Sequence, residues 1–129
     1  MSAPFYEGTG PLVSDRFINT FIAGEDLALG VLVEFTADFT VKKTVAVNSK
    51  KVVGLTYTAA VNGAKVSVVC RGLCRAKAYG AITAGDQLCS GPATAPGTVK
   101  SDTATLNTTI IGTAAQGIAS GATGLILLW

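Results

Sequence analysis

A pattern of turns and strands occurs twice along this chain of 129 residues. In each copy a glycine next to an acidic residue leads into a strand, an apolar pair ends in glycine, and a Gly-Ala turn precedes an apolar strand. The matching segments are residues 23–27 with 84–88, 52–54 with 110–112, and 63–64 with 121–122. The first offset is 61 and the other two are 58, as if the second copy had lost three residues. The order and spacing predict a duplication over residues 23–70 and 84–128, in which each half buries its open apolar face against the other.

The segments between the turns are typical of β-strands. They are short runs of β-branched and apolar residues, and Asn62-Gly63 is a strong hairpin signal. Gly54 inside one such run indicates a bulge or a close approach of two backbones. A short helical turn is conceivable only near residues 73–81. These features predict an all-β fold, a small β-sandwich or barrel of two similar halves at residues 23–129.

Residues 1–22 differ from the rest and predict an extended N-terminal arm. They combine prolines and glycines with four aromatic residues, Phe5, Tyr6, Phe17 and Phe21. Exposed aromatic side chains reduce solubility, so we expect the arm to lie against another surface. That surface is either the arm's own domain or a neighbouring chain.

The composition excludes the common catalytic constellations. The chain has no His, so a Ser-His-Asp or Cys-His system cannot be built from it. Its three cysteines are expected to be small buried apolar side chains, and the acid-glycine turns lack the alternating carboxylates of a calcium site. Arg71 and Arg75 flank Leu73, and we expect an exposed structural role for them in preference to anion recognition. We therefore predict a protein that is not an enzyme and holds no metal or cofactor.

Charge and hydropathy bear on the partners. The net charge of +2 is too small to predict nucleic-acid binding. The short basic pairs Lys42-Lys43 and Lys50-Lys51 are expected to be solvated strand ends or turns, with contact to an acidic partner surface as the alternative. No apolar run approaches the ~20 residues that a membrane-spanning helix needs. The first residues lack the basic and apolar segments of a signal peptide.

A resemblance to a known family adds to this interpretation. The chain over residues 24–129 resembles the small capsid cement (decoration) proteins of tailed bacteriophages, a family first catalogued as an uncharacterised phage protein. Glycines and strand residues at Gly72, Gly85, Asp86, Gly112, Ala114 and Leu127 carry the likeness. The sequence departs from the family pattern at Leu73-Cys74-Arg75 and in the aromatic arm.

The resemblance implies a virion structural protein on the capsid exterior, made in the host cytoplasm, whose partner is the major capsid protein. It further implies a homotrimer at three-fold or quasi-three-fold positions that clamps neighbouring shell subunits. A head-fibre base or receptor-binding module of a virion is the alternative. We expect Phe5, Tyr6, Arg16 and Phe17 to contact the shell or an adjacent protomer. The apolar end at Trp129 is expected either in a symmetric interface or in the last core strand.

Overall fold

The computed structural model describes residues 17–102 and 109–129, which form nine β-strands. The strands are β1 Phe17–Ala23, β2 Leu32–Ala37, β3 Thr40–Lys43, β4 Val52–Thr56, β5 Lys65–Lys77, β6 Gln87–Ser90, β7 Val99–Ser101, β8 Gly112–Ala114 and β9 Thr123–Leu128. The all-β prediction is confirmed. Within the two described ranges, no helix is long and apolar enough to cross a membrane.

Five strands close a ring in the first part of the chain, residues 17–71, which we call the N-half. Their order is β1-β3-β2-β4-β5, and β1 also pairs with β5, so the sheet returns to its first strand. The β1–β3 contact is parallel and the other contacts are antiparallel. Residues 17–22, assigned to the arm by the sequence analysis, thus belong to a strand that pairs on both edges.

The described residues from 72 onward, which we call the C-half, repeat this arrangement. The second part of β5 takes the place of β1, and β9, β8, β6 and β7 follow in order. A parallel bridge between Ala78 and Val99 joins the end of β5 to β7, as Ala23 pairs with Val41 in the N-half. The second ring is therefore closed in the same way as the first.

The pairing fixes the register of the repeat. Ala23 corresponds to Ala78, since each makes the parallel pairing that closes its ring. Gly30 corresponds to Gly85, since their amides donate to the carbonyls of Thr56 and Ala114 respectively. The first offset of the repeat is therefore 55. From β3 onward the offset is 58, as in Val41 and Val99. The predicted offset of 61, which matched Gly24 with Gly85, is wrong. The second copy has gained three residues between its second and third strands, because its β6–β7 connection is longer than that between β2 and β3.

Equivalent side chains fill the two interiors. The N-half encloses Ala23, Leu27, Val33, Val41, Val66 and Val68. The equivalent C-half positions are Ala78, Ile82, Leu88, Val99, Gly124 and Ile126. Of these six positions, only the one occupied by Val66 in the N-half lacks a side chain in the C-half, where it is Gly124. Ile118, equivalent to Ala60, fills that space, because a Cβ added at Gly124 would lie 2.5 Å from Ile118 Cγ1. Val with Ala in one half is thus exchanged for Gly with Ile in the other, which conserves the packed volume.

The halves pack against each other through unlike surfaces. Leu32, Leu55 and Val69 are cross-strand neighbours on the outside of the N-half ring, and we call them the N-row. They are 0–1% exposed because they belong to the same buried cluster as the C-half interior. The expected burial of equivalent faces against each other is therefore wrong. The outer face of the N-half covers the open end of the C-half.

Strand β5 connects the two halves without a break. Residues 73–77, part of the segment for which a short helical turn was the alternative, continue the strand and pair with β9. At Gly72 the backbone has a φ of 109°, a conformation that glycine adopts at little cost, and the strand there passes from one ring to the other. Cys70 consequently packs against the N-half interior and Cys74 lies in the C-half core, although they are four residues apart.

Replacing Thr44 with valine should stabilise the folded protein. Its hydroxyl is buried and has no hydrogen-bond partner within the described structure, and such a group costs about 1–3 kcal/mol. We expect Thr44→Val to raise the free energy of unfolding by about 1 kcal/mol, measured by urea denaturation. The control is Thr56→Val. The Thr56 hydroxyl donates to the Ala28 carbonyl at 2.7 Å and accepts from the Val31 amide, so this change should destabilise. Equal effects of the two substitutions would contradict the assignment.

Candidate interaction surface

The structure places two of the predicted contact residues near the middle of β5. Phe17 begins β1 opposite Arg71, and Trp129 follows Leu128, which pairs with Gly72. Both side chains are exposed, Phe17 at 62% and Trp129 at 58%. Phe5, Tyr6 and Arg16 lie outside the described residues. Phe17 and Trp129 thus approach the same point of the fold from the two halves.

An open end of the N-half ring lies beside this point. It is lined by inward-facing residues near the start of β1 and on the strands around it: Asn19, Phe21, Phe35, Val53 and Cys70. The rings of Phe21 and Phe35 meet edge to face, with centroids 5.3 Å apart and planes at 85°. Phe35 is nevertheless 41% exposed. We call this surface the N-end.

The equivalent end of the C-half is buried. Its residues are Cys74, Ala76, Ser90, Ile111 and Leu128, and all but Ile111 are at most 7% exposed. The Ser90 hydroxyl donates to the Ala46 carbonyl at 2.6 Å and accepts from the Ser49 amide at 2.9 Å, so the N-half closes this end with hydrogen bonds as well as apolar contact.

A groove of about 390 Å³ adjoins the N-end. Val53 and Cys70 are shared between the groove and the N-end, while Ile111, Leu128 and Trp129 line the groove from the C-half. Lys50 contributes a positive charge at its edge. Ser49 and Thr109 add polar groups, so the groove presents both polar and apolar surface beside the N-end.

The C-half has its own outer row. Gln87, Thr113 and Leu127 are cross-strand neighbours at the positions equivalent to Leu32, Leu55 and Val69, and we call them the C-row. Leu127 is 45% exposed, whereas its equivalent Val69 is 1% exposed. The Trp129 indole Nε1–H donates to the Thr113 hydroxyl at 3.2 Å, which holds the indole beside the row.

The acidic turns have structural roles. The Glu25 carboxylate accepts from the Lys43 amide at 2.8 Å, and Asp26 accepts from the Asn62 amide at 2.8 Å. Asp86 accepts from the Thr83 amide at 2.9 Å and from the Ser101 hydroxyl. Among the residues that the structure describes, no group of three potential metal ligands comes together. Arg71 and Arg75 are exposed, as expected.

Burial should hold the thiol of Cys89 in its protonated form. Burial, followed by the negative charge of Asp102, raises its pKa above 9.0. The folded state then holds this proton more tightly than the unfolded state, so stability should fall as the pH rises above 9. Urea denaturation of the native chain and of Cys89→Ala should show that the substitution flattens this decline. The same slope in both proteins would contradict the assignment.

Sequence patterns alone did not identify Phe35 or the C-row as parts of a surface. Phe35 ends the run Val31-Leu32-Val33-Glu34-Phe35, which is typical of a strand and carries no further signal for a surface. The C-row consists of Gln87, Thr113 and Leu127, which are separated in sequence and become neighbours only through the β6–β8–β9 pairing. The usable signal was the repeat itself, read in the correct register.

Comparisons with known proteins identify the fold. No protein-family model matches the chain, and no curated protein matches it. The chain is similar to a solved structure described as the crystal structure of the head fiber gp8.5 N base in bacteriophage phi29, with a TM-score of 0.62 and 18% sequence identity. The match covers 88% of this chain and 94% of that one. The two-ring β architecture described above is thus shared with the base of a phage head fibre.

Proposed function

We propose that this chain is a structural protein of a bacteriophage virion that attaches to the outside of the major capsid shell. The observation that carries the proposal is the fold match, which spans nearly all of both chains and whose other member belongs to a phage head. The exposed apolar side chains at the N-end and at Phe17, Leu127 and Trp129 support it, since such residues favour protein contacts over solvent.

Cement is the role we propose first. A repeated shell offers many identical sites, so a modest affinity at each site is sufficient when several copies are joined. A trimer at three-fold or quasi-three-fold positions meets that requirement. The arm residues Phe5, Tyr6 and Arg16, together with Phe17, are the proposed contacts to the shell or to an adjacent copy, and an extended segment at a sheet edge gains main-chain hydrogen bonds.

A head-fibre base is the second candidate, and the comparison favours it specifically. The solved structure is itself described as a base, and the match covers 94% of it. In this role the body anchors a further segment or protein to the shell and does not clamp the shell subunits. Both roles place the chain on the capsid exterior and require no catalysis.

Particles that lack this protein would separate the two roles. Purified chain added to such particles should co-sediment with them and saturate. If the chain is cement, saturation should raise the temperature at which the particles release DNA. If it is a fibre base, binding should leave that temperature unchanged. Absence of saturable binding would contradict the proposed function in both forms.

A further inference from the structure

Copies of this chain, we infer, associate head to tail. The C-row of one copy, Gln87, Thr113 and Leu127, lies on the N-end of the next, around Phe21 and Phe35. The inference deepens the proposed self-association and rests on it. It does not depend on the shell, so the isolated protein tests it.

The template is the contact inside the chain. The N-row residues Leu32, Leu55 and Val69 cover the open end of the C-half, and both surfaces are buried apart from Ile111, which is partly buried. Because the halves repeat strand by strand, the chain carries each of these surfaces twice. The N-row meets the end of the C-half within the molecule. The C-row and the N-end remain.

Within residues 17–102 and 109–129, no segment covers the remaining pair, as the exposed fractions show. Leu127 is 45% exposed, whereas Val69 at the equivalent place is 1% exposed. Phe35 is 41% exposed, whereas Ser90 at the equivalent place is fully buried. The same two kinds of surface are thus buried where a neighbouring half is present and exposed where none is present.

Side-chain size changes in opposite directions on the two remaining surfaces. The C-half end holds small residues at Ala76 and Ser90, beside the larger Ile111 and Leu128, and receives the N-row. At the N-end the equivalents of Ala76 and Ser90 are Phe21 and Phe35. At the centre of the C-row Thr113 replaces Leu55, while Leu127 at its edge is larger than Val69. At these positions a larger end faces a smaller side chain of the row. The interiors show the same kind of exchange, in which Val66 with Ala60 in one half is replaced by Gly124 with Ile118 in the other.

A second copy is the occupant that fits both surfaces at once. An unrelated partner would explain one exposed surface, but two surfaces equivalent to the two sides of an existing contact point to the same contact made again. Such a contact is heterologous, with a different surface on each side, so it closes into a ring or continues as a row.

Sedimentation of the purified full chain tests the inference with two variants. Phe35→Lys places a charge on the N-end, and Leu127→Lys places one on the C-row. We expect the native chain to be an oligomer across the micromolar range and each variant to sediment as a monomer. The control Val61→Lys alters a side chain that is 66% exposed and belongs to neither surface, and it should leave the oligomer intact.

An equimolar mixture of the two variants gives the sharpest result. The Phe35→Lys copy retains a native C-row, and the Leu127→Lys copy retains a native N-end. One contact can therefore form, and the mixture should contain a dimer with one copy of each variant. If Phe35→Lys fails to fold by circular dichroism, Phe35→Ser, which copies Ser90, takes its place. A monomeric native chain, an unchanged oligomer in Leu127→Lys, or a mixture that stays monomeric would overturn the inference. Particle binding by a monomeric native chain would leave the proposed function standing without it.

Discussion

Gly54→Ala and Gly112→Ala should each lower the free energy of unfolding by about 3 kcal/mol, at the upper end of the usual overpacking cost. A Cβ at Gly54 would lie 1.9 Å from the Val69 carbonyl oxygen, and one at Gly112 would lie 2.1 Å from that of Leu127. The obstacle is backbone in both cases, so no side-chain rotation relieves it. Strands β4 and β8 must instead move away from β5 and β9.

Gly117→Ala is the matched control for these substitutions. Its Cβ would make an ordinary contact of 3.7 Å with the Ile82 carbonyl oxygen, so its urea midpoint should remain close to that of the native chain. Because Gly54 and Gly112 occupy equivalent places, their substitutions should have similar effects. A midpoint for either variant that equals the control would contradict the close approach of the strands.

Removal of residues 1–16 should abolish attachment to the shell and leave the body folded. The deletion takes away Phe5, Tyr6 and Arg16, the proposed contacts, and ends just before β1. A longer deletion through residue 20 would destroy part of β1, which pairs with both β3 and β5, so any loss of binding would then reflect unfolding.

The truncated chain should retain its native circular dichroism and thermal midpoint but no longer co-sediment with particles that lack the protein. A shorter deletion of residues 1–3, which keeps Phe5, Tyr6 and Arg16, is the control and should still bind. If the chain without residues 1–16 decorates particles as the native chain does, the contact lies elsewhere on the body and the role assigned to the arm is wrong.

Local chemistry made much of the fold predictable. The all-β class followed from short apolar runs between glycine turns, and Asn62-Gly63 indeed forms a turn, with Gly63 at a φ of 87°. The close approach predicted at Gly54 is present as well. In each case a single residue carries a strong local constraint that does not depend on which strands lie nearby.

The register of the repeat was harder to predict because similar turns reuse the same residues. Ala-Gly before an acidic residue at 23–25 looks like 84–86, yet Gly30 is the structural equivalent of Gly85. The interior residues follow the true register, since Leu27 and Ile82 make equivalent bridges with Ala60 and Ile118. Buried positions thus align the halves better than turn residues do.

The packing of the halves could not be derived from alternation alone. Alternation shows which side chains share a face of a strand but not which outer face another element covers. The N-row carried one usable signal: Val31-Leu32-Val33 and Val52-Val53 are continuous apolar runs, which are typical of strands buried on both faces. The inferred contact between the C-row of one copy and the N-end of the next can be recognised only by comparing the two rings in three dimensions.

The number of copies per particle tests the central claim most directly. Quantitative mass spectrometry of purified virions should compare this chain with the major capsid protein, before and after protease treatment of the intact particles. A protein that covers a repetitive exterior should be abundant, in a fixed ratio to the shell subunit, and accessible to the protease. Detection of only a few copies at one vertex, or of none in the particle, would contradict the account.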